Sequence, residues 1–176
     1  MTTLAAPRPS VPRSILALVA FLAIAYAVAA LGSIPTANEV EQGWYADADK
    51  VFWTPPGAVF GPVWTVLYAL MSVAAWLVWR EHGRHPAEAR RALVLYVAQL
   101  VLNALWTPVF FGLFPFLGVA ALWIAAVIIL ALDVLVLLTM LAFWRVRRLS
   151  AVLLIPYWAW LLYATTLNIG DAVLND

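Results

Sequence analysis

The chain has 176 residues and no cysteine, which excludes disulfides and thiolate metal sites. It has two histidines, His82 and His85, three residues apart in an arginine-rich segment. In so polar a setting they read as solvated side chains rather than as haem or metal ligands. Charge is scarce: 11% of residues are charged, and the net charge is +1. No cluster of Lys and Arg is interleaved with exposed aromatics, so nucleic acid is not an expected partner. There is no zinc-protease HExxH and no phosphate-binding glycine loop, and no metal site is expected. What the chain has instead is apolar surface. It is 66% hydrophobic, with a mean hydropathy of +0.95. A soluble domain cannot hide that much, so the expected class is an all-α, multi-pass membrane protein.

A helix needs about 20 apolar residues to cross the hydrocarbon core. Five segments qualify: Ser14–Ile34, Gly57–Trp79, Leu93–Leu113, Gly118–Phe143 and Leu149–Ile169. The first is longer than a signal-peptide core and reads as an uncleaved span. The expected organisation is a short tail over residues 1–13, one five-helix bundle over 14–170, and a tail over 171–176. The longest connection is residues 35–56. It is acidic, with Glu39, Glu41, Asp47 and Asp49, yet it also holds Trp44, Tyr45, Phe52 and Trp53. A solvated loop has little use for four aromatics. They serve either as interfacial anchors or as the underside of a lid over the outer mouth of the bundle. Five spans put nine of the ten Lys and Arg residues on one side, with Lys50 alone opposite. The positive-inside rule then places the N-terminus in the cytoplasm. Arg145, Arg147 and Arg148 fit that role and sit where anionic lipid is within reach.

The second span opens with "WTPPGAVFGPVW", and prolines recur in "LWTPVFFG" and "IPYWAW". Pro55 and Pro56 suit a helix entrance. Pro62, Pro108 and Pro156 fall within spans and are expected to kink them. Each has a tryptophan nearby: Trp64, Trp106, and Trp158 with Trp160. Helical spacing puts Trp64, Tyr68, Ser72 and Trp76 on one face. Asn103, Trp106 and Phe110 form a second stripe, and Pro156, Trp160, Ala164 and Asn168 a third. The amides of Asn103 and Asn168 are costly against lipid and should face the interior, either clamping helices or orienting a ligand. Asp133 is the one acid deep in a span, and such a carboxylate is a functional candidate by default. In the first span, Ala23/Ala27 and Ala25/Ala29 have the spacing that lets membrane helices approach closely, as in a dimer.

The stretches "WYADADKVFWTPP", "GPVWTVLY", "LNALWTPVFFG", "FWRVRRLSAVLLIPYWAW" and "YATTLN" occur in the order in which the translocator protein/tryptophan-rich sensory protein (TspO/MBR) family carries their counterparts. The chain resembles that family from about Trp44 to Asn168. It departs from it at Val51-Phe52, where the family usually has proline after the loop lysine, and at Leu117-Gly118, where some members have tryptophan. The resemblance implies a five-helix-bundle membrane protein, commonly a homodimer, with a pocket beneath the first loop. It implies ligands such as porphyrins (protoporphyrin IX or haem), sterols in some members, and synthetic isoquinolines and benzodiazepines. No obligate cofactor is implied. Carried over by motif, the pocket would use Trp53, Trp64, Tyr68, Asn103, Trp106, Trp160, Ala164, Leu167 and Asn168. Three readings follow. The first is a sensor or transporter of porphyrin-like molecules in a bacterial cell membrane. The second is a light-dependent porphyrin-degrading enzyme in which Trp64 and Trp160 are oxidised. The third is a regulatory or structural partner within a larger membrane complex.

Overall fold

The computed structural model describes residues 9–176, without the side chains of residues 33–35, 37 and 38. Residues 1–8, including Arg8 and most of the expected N-terminal tail, lie outside the described residues. Every regular element among the described residues is helical: α1 (Val11–Glu41), α2 (Trp44–Asp47), α3 (Phe60–Arg80), α4 (Pro86–Thr107), α5 (Phe114–Leu117), α6 (Val119–Val146), α7 (Arg148–Leu153) and α8 (Ile155–Leu174). Five segments are long and apolar enough to span a membrane: Val11–Gly32, Gly57–Arg80, Pro86–Gly112, Val119–Val146 and Arg148–Leu174. They match the five expected spans.

The first boundary needs correction. The expected loop began at Pro35, but α1 runs through that proline to Glu41. Proline removes one backbone bond, the one from residue 35 to the carbonyl of residue 31, and the bonds on either side can carry the helix on. Here the Thr36 hydroxyl donates to the Gly32 carbonyl (2.8 Å). The connection is therefore shorter than expected and contains the one-turn α2.

The other prolines mark changes of helical winding rather than bends in a uniform rod. Pro62 lies in the first turn of α3, preceded by a 3-10 turn at Gly57–Val59. An α-helical bond from residue 62 back to residue 58 is impossible without an N–H. The expected kink at Pro62 is thus a tightened entrance. Pro108 opens a wide π-type turn, Pro108–Gly112, that ends α4. Pro156 sits in the first turn of α8, just past the break that separates it from α7. The tight turn at Phe114–Leu117 ends on Gly118, whose φ of 57° and ψ of −141° only glycine adopts without strain.

Two packed regions result. Towards the arginine-rich end, Ala74, Ala75, Ala89, Ala92 and Ala151 are buried with Val78, Val136, Phe143 and Leu154. Small residues let these helices approach closely. Towards the opposite end, Tyr45 packs with Phe110, Phe111, Leu122, Ala125 and Ala172. Aliphatic side chains on α1, α4 and α6, such as Leu16, Val97 and Val127, are left exposed, as a lipid-facing surface requires. Of the two alanine pairs in α1, Ala25/Ala29 faces the protomer's own interior. Ala25 is fully buried and Ala29 packs on the core, whereas Ala23 and Ala27 stay exposed. Ala25/Ala29 therefore serves packing within the chain.

Candidate functional site: an aromatic cavity between the spans

The first stripe read from the sequence divides in the structure. At its lower end, the Ser72 hydroxyl bonds the carbonyls of Tyr68 (2.8 Å) and Phe21 (3.2 Å), and the Trp76 indole donates to the Ser14 carbonyl (2.8 Å). These two residues fasten α3 to α1. At its upper end, Trp64 and Tyr68 line a cavity of about 770 Å³. The second stripe supplies Asn103, Trp106 and Phe110 to the same cavity, and the third supplies Trp160, Ala164 and Asn168, joined by Leu167.

Eight of the nine expected ligand residues therefore converge, and Trp53 does not. Trp53 is half exposed, its indole N–H donates to the Thr166 hydroxyl (3.2 Å), and its carbonyl accepts from the Tyr163 hydroxyl (2.6 Å). Those bonds fix it to α8 outside the cavity lining. Tyr45 is the loop aromatic that reaches inward. Its ring meets Phe110 and Phe111 edge-on at 5.9 and 5.3 Å. Burial, with the Asp171 carboxylate nearby, pushes its phenol above the ordinary value, so it stays neutral.

Both amides act as clamps. Asn168 accepts from the Trp106 indole (3.0 Å) and donates to the Leu122 carbonyl (2.9 Å), tying α4, α6 and α8 together. Asn103 accepts from the Tyr68 hydroxyl (2.5 Å) and donates to the Tyr157 hydroxyl (3.1 Å), which itself donates to Gln99 (2.9 Å). Tyr68 and Asn103 line the cavity, and Tyr157 and Gln99 back them. An amide spent on helix partners retains one N–H and one lone pair. The Trp160 indole N–H is buried at the cavity with no partner among the described residues. It is the polar group there most in need of an acceptor.

The walls are flat and apolar. Trp64 lies against Tyr68 (centroids 5.5 Å) and meets Tyr157 edge-on (6.2 Å), and Trp106 stacks on Phe110 (5.1 Å). The connection borders the cavity at Tyr45, and the rest of it is fastened to the bundle alongside. The Trp44 indole donates to the Phe111 carbonyl (2.9 Å) and its ring stacks on Phe114 at 3.8 Å. The Val51 N–H reaches the buried Asp171 carboxylate (3.4 Å), and Asn175 bonds both the N–H and the carbonyl of Asp49 (3.2 and 2.8 Å). Gly170 makes this seat possible, because a Cβ there would strike the Val51 side chain.

Helix α1 contributes a wall that the motifs do not mark. Tyr26, Ala29, Gly32 and Thr36 all line the cavity. Tyr26 donates to the Thr65 carbonyl of α3 (3.0 Å), and at Gly32 the helix comes close to Thr107 of α4. The signal is faint: Tyr26, Gly32 and Thr36, with Phe21, Ser33 and Pro35, are the residues that break an otherwise aliphatic run after Ser14. Asp133 is not among the lining residues. It accepts from the Thr165 hydroxyl (2.8 Å), and its backbone carbonyl accepts from the Trp158 indole (3.1 Å), joining α6 to α8.

Comparison with known proteins agrees with the motif reading. The family model described as the TspO/MBR family matches residues 20–173. The chain is 38% identical to a tryptophan-rich protein TspO of Archaeoglobus fulgidus over 163 residues, covering 92% of this chain and 99% of that protein. It is 37% identical to a tryptophan-rich sensory protein of Cereibacter sphaeroides, covering 88% of this chain and 89% of the relative. It is 42% identical to the human translocator protein over 125 residues, covering 71% and 70%.

Proposed function

The chain belongs to the TspO/MBR family, and from that premise we propose that it binds a porphyrin or a similarly flat, apolar ligand in the aromatic cavity and acts as a sensor or carrier for it. The protein is an integral membrane protein with five spans. The observation that carries the proposal is the convergence of Trp64, Tyr68, Asn103, Trp106, Trp160, Ala164, Leu167 and Asn168, from three spans, on one cavity. Its volume of about 770 Å³ suits a drug-sized or macrocyclic ligand. Indole and phenol faces offer large contact area to a flat ring system at low entropic cost. The unpartnered Trp160 N–H would meet a polar atom at the ligand's edge. The first loop acts as a lid.

Titration of intrinsic tryptophan fluorescence with protoporphyrin IX tests this. Wild-type protein should be quenched saturably, Trp64→Phe should weaken the quench, and Trp53→Phe should change affinity little. If no tetrapyrrole or sterol in a panel binds saturably, the reading fails and a role as a partner in a larger complex takes its place. The enzyme reading rests on the contiguity of Trp64 with Tyr68 and Tyr157 beside the cavity. It requires that illumination of the complex yield new absorbing products and that Trp64→Phe abolish them.

The same proposal places the N-terminus in the cytoplasm of a bacterial cell, on the nine-to-one division of cations. The absence of cysteine makes single-cysteine labelling clean. Asp47→Cys should react with an impermeant maleimide in intact cells, and Arg84→Cys should react only after lysis. The reverse pattern would overturn the orientation.

A further inference from the structure

The cations at the arginine-rich end are not equivalent. Arg147 and Arg84 are both held by the buried Glu81 carboxylate, at 3.1 and 3.5 Å. Arg80 lies over the Trp76 ring (4.8 Å), and Arg148 over the Trp144 ring (5.4 Å). Arg13, His82 and Arg90 have no such partner among the described residues. They come from α1, from the connection after α3 and from α4, yet they border one groove together with Trp79. The rest of the groove is apolar: Leu93, Val94, Val97 and Ala98. These four follow Arg90 along one side of α4, and Val94 and Val97 are more than half exposed. At 1.5 Å per residue, the stripe from Arg90 to Ala98 descends about 12 Å from the charged rim into the span.

We propose that this groove is a binding site for one anionic phospholipid of the leaflet at the arginine-rich end. Its phosphate sits between Arg13, His82 and Arg90, and one acyl chain lies along Leu93, Val94, Val97 and Ala98. Two unpaired guanidinium groups from different helices can each give a phosphate a bidentate, charge-assisted contact. Trp79 supplies the amphipathic ring that favours the headgroup level. Basic grooves between membrane helices, open to lipid and apolar below, are the physical form that anionic headgroup recognition takes. A soluble phosphate would use the rim alone and would leave the exposed valine stripe unexplained. The site lies at the end of the bundle opposite the aromatic cavity, so it stands or falls independently of the ligand proposed there.

Native mass spectrometry of the detergent-solubilised protein, supplied with dioleoylphosphatidylglycerol or dioleoylphosphatidylcholine, tests the assignment. Wild-type protein should retain one phosphatidylglycerol in preference to phosphatidylcholine. The exposed double variant Arg13→Gln/Arg90→Gln should lose that preference by about 30-fold, the effect of two arginines near an anionic headgroup. Arg91→Gln/Arg145→Gln, which removes the same charge outside the groove, should keep it. Thermal unfolding in the same detergent confirms that both variants are folded. Equal losses in the two double variants would reduce the effect to general surface charge and overturn the site. So would full competition by soluble glycerophosphoglycerol, which would make it a phosphate site without a lipid, or the absence of any preference in the wild type.

Discussion

The two ends of the bundle are built from the same helices but solve opposite problems. Helix α3 shows this within 12 residues, because Trp64 and Tyr68 face a cavity while Ser72 and Trp76, on the same stripe, are fastened to α1. The difference lies in what stands opposite. Near the arginine-rich end, alanines at 89, 92 and 151 let neighbouring helices close in until no space remains. Near the loop, the Trp160 ring of α8 meets Phe60 of α3, the Trp106 indole of α4 bonds Asn168 of α8, and Asn103 of α4 bonds Tyr68 of α3. Rings hold helices apart, and clamped amides keep them from collapsing. The space is therefore a consequence of rigid spacers rather than of poor packing.

Identical substitutions in the two halves should have opposite readouts. Ala92→Phe, in the closely packed half, has no room for a ring and should cost about 3 kcal/mol or more of stability, seen as loss of folded protein in thermal unfolding. Ala164→Phe places the same ring in the cavity. It should weaken porphyrin binding by ~1–3 kcal/mol, read by tryptophan quenching, while the unfolding midpoint stays near wild type. Were Ala164→Phe to unfold the protein with affinity intact in the folded remainder, the cavity would be a packing defect and the contrast would collapse. Gly170→Ala sets a Cβ against Val51 and should unseat the loop by about 1 kcal/mol. Faster labelling of a cysteine placed at Asp49 would report it. The smallest effect belongs to Trp106→Phe, which removes one bond to Asn168. Interhelical bonds in membranes average ~0.6 kcal/mol, so the unfolding midpoint should fall slightly, and a drop as large as that of Ala92→Phe would mean that Asn168 alone holds the cavity open.

The spans were legible because the hydrocarbon core imposes a length that few other structures require. The rings and amides that line the cavity were legible because such residues at helical spacing are conspicuous against aliphatic neighbours. Helix α1 was not. In a segment that is apolar on every side, the pattern does not distinguish the face towards lipid from the face towards a cavity, so Tyr26, Gly32 and Thr36 carry no mark. Pro35 reads as a stop in the sequence, but a single missing N–H does not end a helix whose flanking turns stay bonded. Trp53 was placed in the pocket by motif, yet its N–H is taken by Thr166 on α8, a long-range partner that no local spacing discloses. Tyr45, six residues earlier in the connection than Val51, is the aromatic that turns inward.

The bonds that hold the first loop down have a further consequence in time. Four of them join the loop to the last helix and its C-cap, across sequence separations of 110 to 126 residues. During synthesis at ~5–20 residues per second, the loop waits roughly 6–25 s for its seat to be made. Over that interval Asp49, Val51 and Trp53 have no α8 to dock against, and the loop is held only where Trp44 and Tyr45 meet Phe110, Phe111 and Phe114. The second half of the loop is thus among the last parts of the molecule to become native, and a nascent chain stalled before Tyr163 should hold its loop by Trp44 and Tyr45 alone.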